Sequence, residues 1–309
     1  MRNYSKRVRI LRQIGLIVLL LLITLPVTDF IVGIPACGAA VIPRILLAQN
    51  VQGNENMKDT ELYETIFKRK SIRQYILNPL EGHMLSEIMA HTRALKPLYN
   101  DIKVEIKILP QENVKALLFL AKAPHYLALF SETKGGYLMN AGFMLQQMDL
   151  FFSANGIGSC WQGMAKPTKE ISKNSELEFV IIMAFGRPNE TLHRESVSEF
   201  KRKQLQEITD VKGADELLEP ARLAPSAMNR QQWFFTGSAS TIHAYQSKAS
   251  VLTAFVLNRV SRISMGIPIC HMWIAAKHFG KEVEFIEDKE ARSNPPPGLE
   301  YGVTIKVKP

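Results

Sequence analysis

The chain matches itself, and that limits what it can fold into. "EIMAHTRALKPLYN" (87–100) lies against "ELLEPARLAPSAMN" (216–229) at an offset of 129, which pairs Glu87 with Glu216, Arg93 with Arg222 and Asn100 with Asn229. "AGFMLQQMDLFFSANG" (141–156) lies against "MGIPICHMWIAAKHFG" (265–280) at an offset of 124, pairing Gly142 with Gly266, Met148 with Met272 and Gly156 with Gly280. "FKRK" recurs at 67–70 and 200–203, and "LEF" (177–179) meets "LEY" (299–301). The matches keep their order, and the offset falls steadily from 133 to 122, as small deletions in a second copy would make it. We read a tandem duplication with copy one at 61–197 and copy two at 198–309. Residues 49–60, "QNVQGNENMKDT", are polar and form the linker ahead of both.

Each copy repeats one coarse plan. A helix begins near the "FKRK" element, and a second carries "EIMAHTRAL" or "ELLEPARLA". A strand follows ("VEIKIL", 104–109; "WFFTG", 233–237), then a long helix with apolar residues at helical spacing (137–155 and 264–279). A last strand closes the copy ("FVIIMAFG", 179–186; "GVTIKVK", 302–308). Helices and strands interleave without a run of βαβ units or a glycine-rich strand-to-helix turn, which disfavours a Rossmann fold.

Residues 1–48 differ from the rest. Six Lys and Arg residues against one acid among residues 1–50 account for five of the nine excess positive charges. The high pI is thus partly a terminal effect and argues little for nucleic acid. No RNA-binding signature, helix-turn-helix signal or Cys/His finger spacing accompanies it. Five cationic residues precede "IGLIVLLLLITLPVT" (14–28), and the apolar run to Ile34 is long enough for one bilayer crossing. A secretory signal has the same layout, and no cleavage site stands out. The expectation is membrane association through residues 14–34, with the side of the membrane left open. Three cysteines make no disulfide framework, and seven scattered histidines suggest no metal. His125 and His271, in apolar surroundings, read as structural.

Two half-sites survive, one in each copy. In "RKSIRQY" (69–75), Arg69, Ser71 and Arg73 alternate, so an extended segment points all three to one side. Two guanidiniums and a hydroxyl on one face suit a phosphate; a plain solvated charge run is the other reading. Copy two replaces this with "RKQLQEI", where Gln204 and Gln206 remove the pattern. Conversely "PSAMN" (225–229) in copy two stands where copy one has "KPLYN" (96–100). It too has a plain reading, a helix end followed by a turn. A twofold dimer fused into one chain, keeping one of its two sites, would leave this complementarity behind.

Together "RKSIRQY", "ARLAPSAMNRQQWFF", "GIGSCWQG" (156–163) and "RKQLQEI" (202–208) resemble the signature elements of the FMN-dependent nitroreductase superfamily, in its single-chain, duplicated branch. The usual forms are RRSxRxF, A-R-x-APSxxNxQPW, GLGxxWxG and R-K-PLEEI, and the likeness covers about 64–309. It implies an α+β fold in which two tandem copies form an intrachain pseudo-dimer, with helices around mixed, largely antiparallel sheets. It implies FMN as cofactor, with Arg69, Ser71 and Arg73 on the phosphate and Arg202 or Lys203 assisting from the junction. Ser226 and Asn229 match the loop that reaches the flavin from the other half, with Pro225 fixing its start. Gly156, Ile157, Gly158 and Ser159 match the loop beside the ring. The flavin carries the chemistry, so no catalytic side chain is expected. NAD(P)H as donor, a nitroaromatic or quinone as acceptor, and a monomer whose dimer is internal complete the expectation. Gln232 departs from the family's proline, and "FGKEVEF" (279–285) lacks the glycine-rich loop, which points to one cofactor rather than two. A flavin-binding sensor or store without turnover, and a membrane-tethered flavoprotein with a non-nicotinamide donor, stay open as alternatives.

Overall fold

The computed structural model describes residues 59–116, 121–248 and 254–308. The apolar stretch 14–34 lies outside them. Among the described residues no helix is long and apolar enough to cross a membrane.

In chain order, α1 (Asp59–Ile66) and α2 (Gly82–Ala94) precede β1 (Val104–Pro110), β2 (Val114–Ala116) and β3 (His125–Ser131). Then come α3 (Tyr137–Ala154), β4 (Gly158–Gln162), β5 (Ala165–Pro167), α4 (Lys169–Lys173) and β6 (Glu178–Gly186). The second half holds α5 (Asp215–Arg222), β7 (Trp233–Ser238), β8 (Thr241–Ser247), α6 (Ala254–His278), β9 (Glu282–Ile286), α7 (Lys289–Ser293) and β10 (Leu299–Lys308). This is α+β, and every pair of named strands is antiparallel.

Both halves use one topology. The first sheet runs β1-β3-β6-β4 and the second β7-β8-β10-β9, so each orders its own four strands first, second, last, third, while β2 and β5 pair separately. Between the sheets, α3 and α6 pack on each other. Their sequences are apolar almost all round, because a helix enclosed on every side has no face to give to water; Phe143, Leu145 and Met148 of α3 and Ile269, Met272 and Ile274 of α6 are all buried. Their approach is closest at two glycines. A Cβ at Gly142 would lie 1.9 Å from the Ile263 carbonyl oxygen, and one at Gly266 would lie 2.0 Å from that of Met139. The offset of 124 relates Met139 to Ile263 as it relates Gly142 to Gly266, so the two contacts are one contact made twice. The hydrogen bonds repeat too. Leu98 N donates to Asn140 Oδ1 at 2.7 Å, and its counterpart Ala227 N donates to Ser264 Oγ at 3.2 Å. Such reciprocity is what a twofold interface between like units produces.

Several expectations on local structure need correction. No helix begins at "FKRK": α1 ends at Ile66, residues 67–70 turn into an extended segment, and only a 3₁₀ turn precedes Lys201 in the second half. The long helix of copy two starts ten residues before 264. Two further strands join each four-stranded sheet, β3 and β4 in the first and their counterparts β8 and β9 in the second. β3 is buried at every position, so "HYLALFS" has no polar face to show.

Candidate functional site

The extended segment after α1 does gather its alternate residues. Arg69 Nη2 donates to Ser71 Oγ at 3.2 Å, and Arg73 Nη1 donates to the Ser71 carbonyl at 3.4 Å. The fields of Arg69 and Arg73 both reach the Cys160 thiol, while burial pushes that thiol up. The three differ in access. Arg73 is exposed and Ser71 half-buried, whereas Arg69 is only 1% exposed, its Nε 3.0 Å from Asp149 Oδ2. Arg69 therefore departs from the expected open phosphate donor. It stands behind the surface, its charge held by a buried carboxylate.

Asp149 anchors a polar chain that crosses the molecule. Ser159 Oγ donates to Asp149 Oδ1 at 2.6 Å, and Gln146 Nε2 donates to Oδ2 at 3.1 Å. The same amide nitrogen lies 3.0 Å from His271 Nε2, and His271 Nδ1 lies 2.8 Å from the Pro220 carbonyl oxygen. A carbonyl only accepts, so Nδ1 carries the proton and Nε2 takes the second Gln146 hydrogen. Burial, aided by the Arg69 and Arg202 charges and opposed by the Pro220 bond, lowers the His271 pKa to about 3. His271 is thus neutral and structural, as its sequence context suggested. The chain it completes ties the Arg69 segment to the end of α5, next to the loop at 225–231. His125 is structural as well, its Nε2 accepting from Leu80 N at 2.9 Å.

That loop is strained. Met228, Asn229 and Gln231 have φ of 51°, 56° and 47°, the left-handed region that residues with a Cβ seldom occupy. Local bonds hold it there. Ser226 Oγ accepts from Gln231 N at 2.9 Å, Asn229 Nδ2 donates to the Lys201 carbonyl at 2.7 Å, and Gln231 Oε1 accepts from Lys203 N at 2.7 Å. Lys203 Nζ donates to the Gln231 carbonyl at 3.0 Å. Arg202 Nη1 donates to Asn229 Oδ1 at 2.7 Å. Pro225 is buried at the start of the loop, and Met228 is 64% exposed at its tip. Ser226 and Asn229 are engaged as clamps, and the open surface is the Met228 side chain and its neighbours.

The junction residues join the half-sites. Arg202, bonded to Asn229, is near enough to Arg69, Arg194 and Arg222 that burial and these charges push its pKa down to about 10. Arg194 Nη1 donates to the Arg69 carbonyl, and its guanidinium sits 4.0 Å from the centre of the Phe200 ring. Arg222 pairs with Glu219. No carboxylate among the described residues lies within ion-pair distance of Arg194 or Arg202.

A small cleft opens beside the loop, lined by Ser226, Met228, Gln231, Trp233, Val260 and Ser264 among others. Trp233 forms part of its wall, and its buried indole N–H has no acceptor among the described residues. The other half fills the matching place. Tyr99, the counterpart of Met228, lies against Gly136, the counterpart of Val260, so closely that an added Cβ would be 2.4 Å from the ring. Gly136 has φ +85°, so glycine is needed there for conformation and for room.

The segment 156–159 is partly closed by its own chain. Gly156 is exposed with φ +74°, but Ile157 joins the core and Ser159 turns inward to Asp149. A Cβ at Gly158 would be 2.8 Å from Ile72 Cγ2, and Ile72 N donates to the Ser159 carbonyl at 2.9 Å. The room left by Gly158 is taken by the Arg69–Arg73 segment. Sequence reasoning missed Asp149, a lone acid inside an apolar helix, and Arg194, which belongs to no motif. Among the described residues no cluster of His, Cys, Asp and Glu could hold a metal.

The family model described as "Putative TM nitroreductase" matches residues 61–276. Among solved structures the chain is similar to a Thermotoga maritima protein described as a "putative nitroreductase". Identity is 18%, the match covers 85% of this chain and 100% of that one, and the TM-score is 0.55, a likeness of fold. It is also similar to a nitroreductase family protein of Clostridium difficile 630 (16% identity, 48% of this chain and 94% of that one, TM-score 0.38). An FMN-dependent nitroreductase of Clostridium difficile R20291 shares 17% identity over 47% of this chain and 96% of that one, with a TM-score of 0.34. No curated protein matches.

Proposed function

The chain belongs to the "Putative TM nitroreductase" family, and we propose that it is an FMN-dependent oxidoreductase moving electrons from NAD(P)H to an electron-poor acceptor such as a nitroaromatic or a quinone. One observation carries this reading. Arg202 donates to Asn229 of the later loop and shares the Phe200 ring with Arg194, which donates to the Arg69 carbonyl of the earlier segment, and this linkage supports reading the two half-sites as parts of one place.

The residues there fit an anionic, planar cofactor. Arg69, Arg194 and Arg202 bring three positive charges together, and Asp149 answers only the first. Half-buried cations left without counter-charge favour an anion, and guanidiniums suit phosphate oxygens. Ser71, Arg73 and Arg202 would hold the phosphate, with Arg69, paired to Asp149, fixing Ser71 from behind and Lys203 fixing the loop. Met228 and the backbone around it would meet the ring, and Gly156, exposed, belongs to the stretch matched to the ring. The Trp233 indole N–H offers a donor to a ligand acceptor in the cleft. FMN, when bound, supplies the two-electron chemistry, and the protein supplies position and field. The filled pocket at Tyr99 and the glutamines at 204 and 206 leave one such site per chain.

Anaerobic mixing tests the reading. The flavin band of the purified full-length chain should bleach with NADH or NADPH and return on adding a quinone or nitroaromatic. A flavin-loaded chain that neither nucleotide bleaches, but a quinol does, would move the donor assignment to a non-nicotinamide carrier. A chain that turns over with no donor would be a binder rather than an enzyme.

A further inference from the structure

We propose that Arg194, outside every motif of the sequence, is a ligand of the cofactor phosphate and the residue that makes the site prefer a phosphorylated flavin; this rests on the flavin reading above. Its position is fixed from three sides. Arg194 N donates to the Lys68 carbonyl at 2.8 Å, and its neighbour His193 bridges to Arg69 and lies 3.0 Å from the Ser153 carbonyl through Nε2. The Phe200 ring carries two guanidiniums, that of Arg194 at 4.0 Å and that of Arg202 at 5.6 Å from its centre. An aromatic face holds cations in place without cancelling their charge.

The charges around it are few. Arg69, Arg202 and Arg194 interact as like charges, and Asp149 is taken by Arg69. Glu199 is the one acid whose field reaches Arg194, and its Oε1 already accepts from Glu195 N and Ser196 N. Glu199 keeps its negative charge while accepting those bonds and offsets part of the charge of Arg194 from beyond ion-pair distance, so the cluster holds a positive surplus with no ion pair at Arg194 or Arg202. A phosphate monoester near neutral pH carries roughly −1.5 to −2, which is the charge this surplus would balance. A flavin without phosphate gains nothing from it.

The test compares two ligands that share the ring. FMN and riboflavin are titrated into the full-length chain and into Arg194→Gln, following flavin fluorescence at two salt concentrations. FMN should bind the variant roughly 10–100-fold more weakly, the range of one lost charge-assisted hydrogen bond, with a shallower salt dependence, while riboflavin binds both proteins alike. Arg194→Lys should recover part of the FMN preference. Equal weakening of both flavins would make Arg194 a structural clip on Phe200 and overturn the assignment, as would unchanged FMN binding. A wild-type chain that binds neither flavin would overturn the flavin reading and this assignment with it.

Discussion

Gly142→Ala should destabilise the chain by about 3 kcal/mol or more, the upper end of what overpacking usually costs. The added methyl would lie 1.9 Å from the Ile263 carbonyl oxygen, a backbone atom that moves only if α6 moves. Gly266→Ala should do the same against Met139. At roughly 2–4 °C per kcal/mol for a chain of this size, each should lower Tm by about 6–12 °C in a thermal scan. Gly82→Ala is the control, because nothing lies within 4 Å of its new Cβ; it should change little. The double variant should cost less than the sum of the singles, since both methyls force apart the same pair of helices. Additive losses, or singles no worse than Gly82→Ala, would mean that the halves do not meet at these glycines.

Asp149→Leu should cost about 3–5 kcal/mol, the usual result of leaving a buried charge without its partner. Arg69 would keep its charge at 1% exposure, and the Ser159 and Gln146 donors would lose an acceptor. Adding Arg69→Met should recover part of the loss, because an apolar pair of similar size carries no desolvation penalty. Urea unfolding of the wild type, both singles and the double measures the coupling. The account is wrong about this core if Asp149→Leu is near neutral or if the two losses simply add. The same variants separate two roles for Arg69. The double variant removes a positive and a negative charge together, so any flavin affinity it still lacks reports how the Arg69–Asp149 pair positions the segment at 69–73 rather than a lost net charge.

The sequence displayed this fold where symmetry or period left a trace. The offset of 124 found in apolar helices carries Gly142 onto Gly266 and Met139 onto Ile263, the residues of one close contact made twice. The offset of 129 leads to the paired bonds of Leu98 and Ala227. "VEIKIL" alternates and reads as a strand, whereas β3 is buried at all seven positions and shows no alternation. At the proposed site, the motifs single out segments but say nothing of the access of each side chain. Arg69 faces its expected neighbours and is closed off by Asp149, a single acid on a helix whose apolar pattern it does not interrupt. Gly158 suggested close approach of a ligand, and the group that approaches is Ile72. Arg194 had no signal at all, since its place beside Arg69 and Arg202 exists only after residues far apart in sequence have folded together. The apolar N-terminal stretch remains an expectation from sequence alone.

Counting the cofactor tests the central claim most directly, that the two halves jointly build a single flavin site. Equilibrium titration of the cofactor-free, full-length chain with FMN should saturate at one molecule per chain. Saturation at two would mean that the place occupied by Tyr99 also binds. No saturable binding would mean that the cations around Arg202 and the loop at 225–229 serve some other ligand.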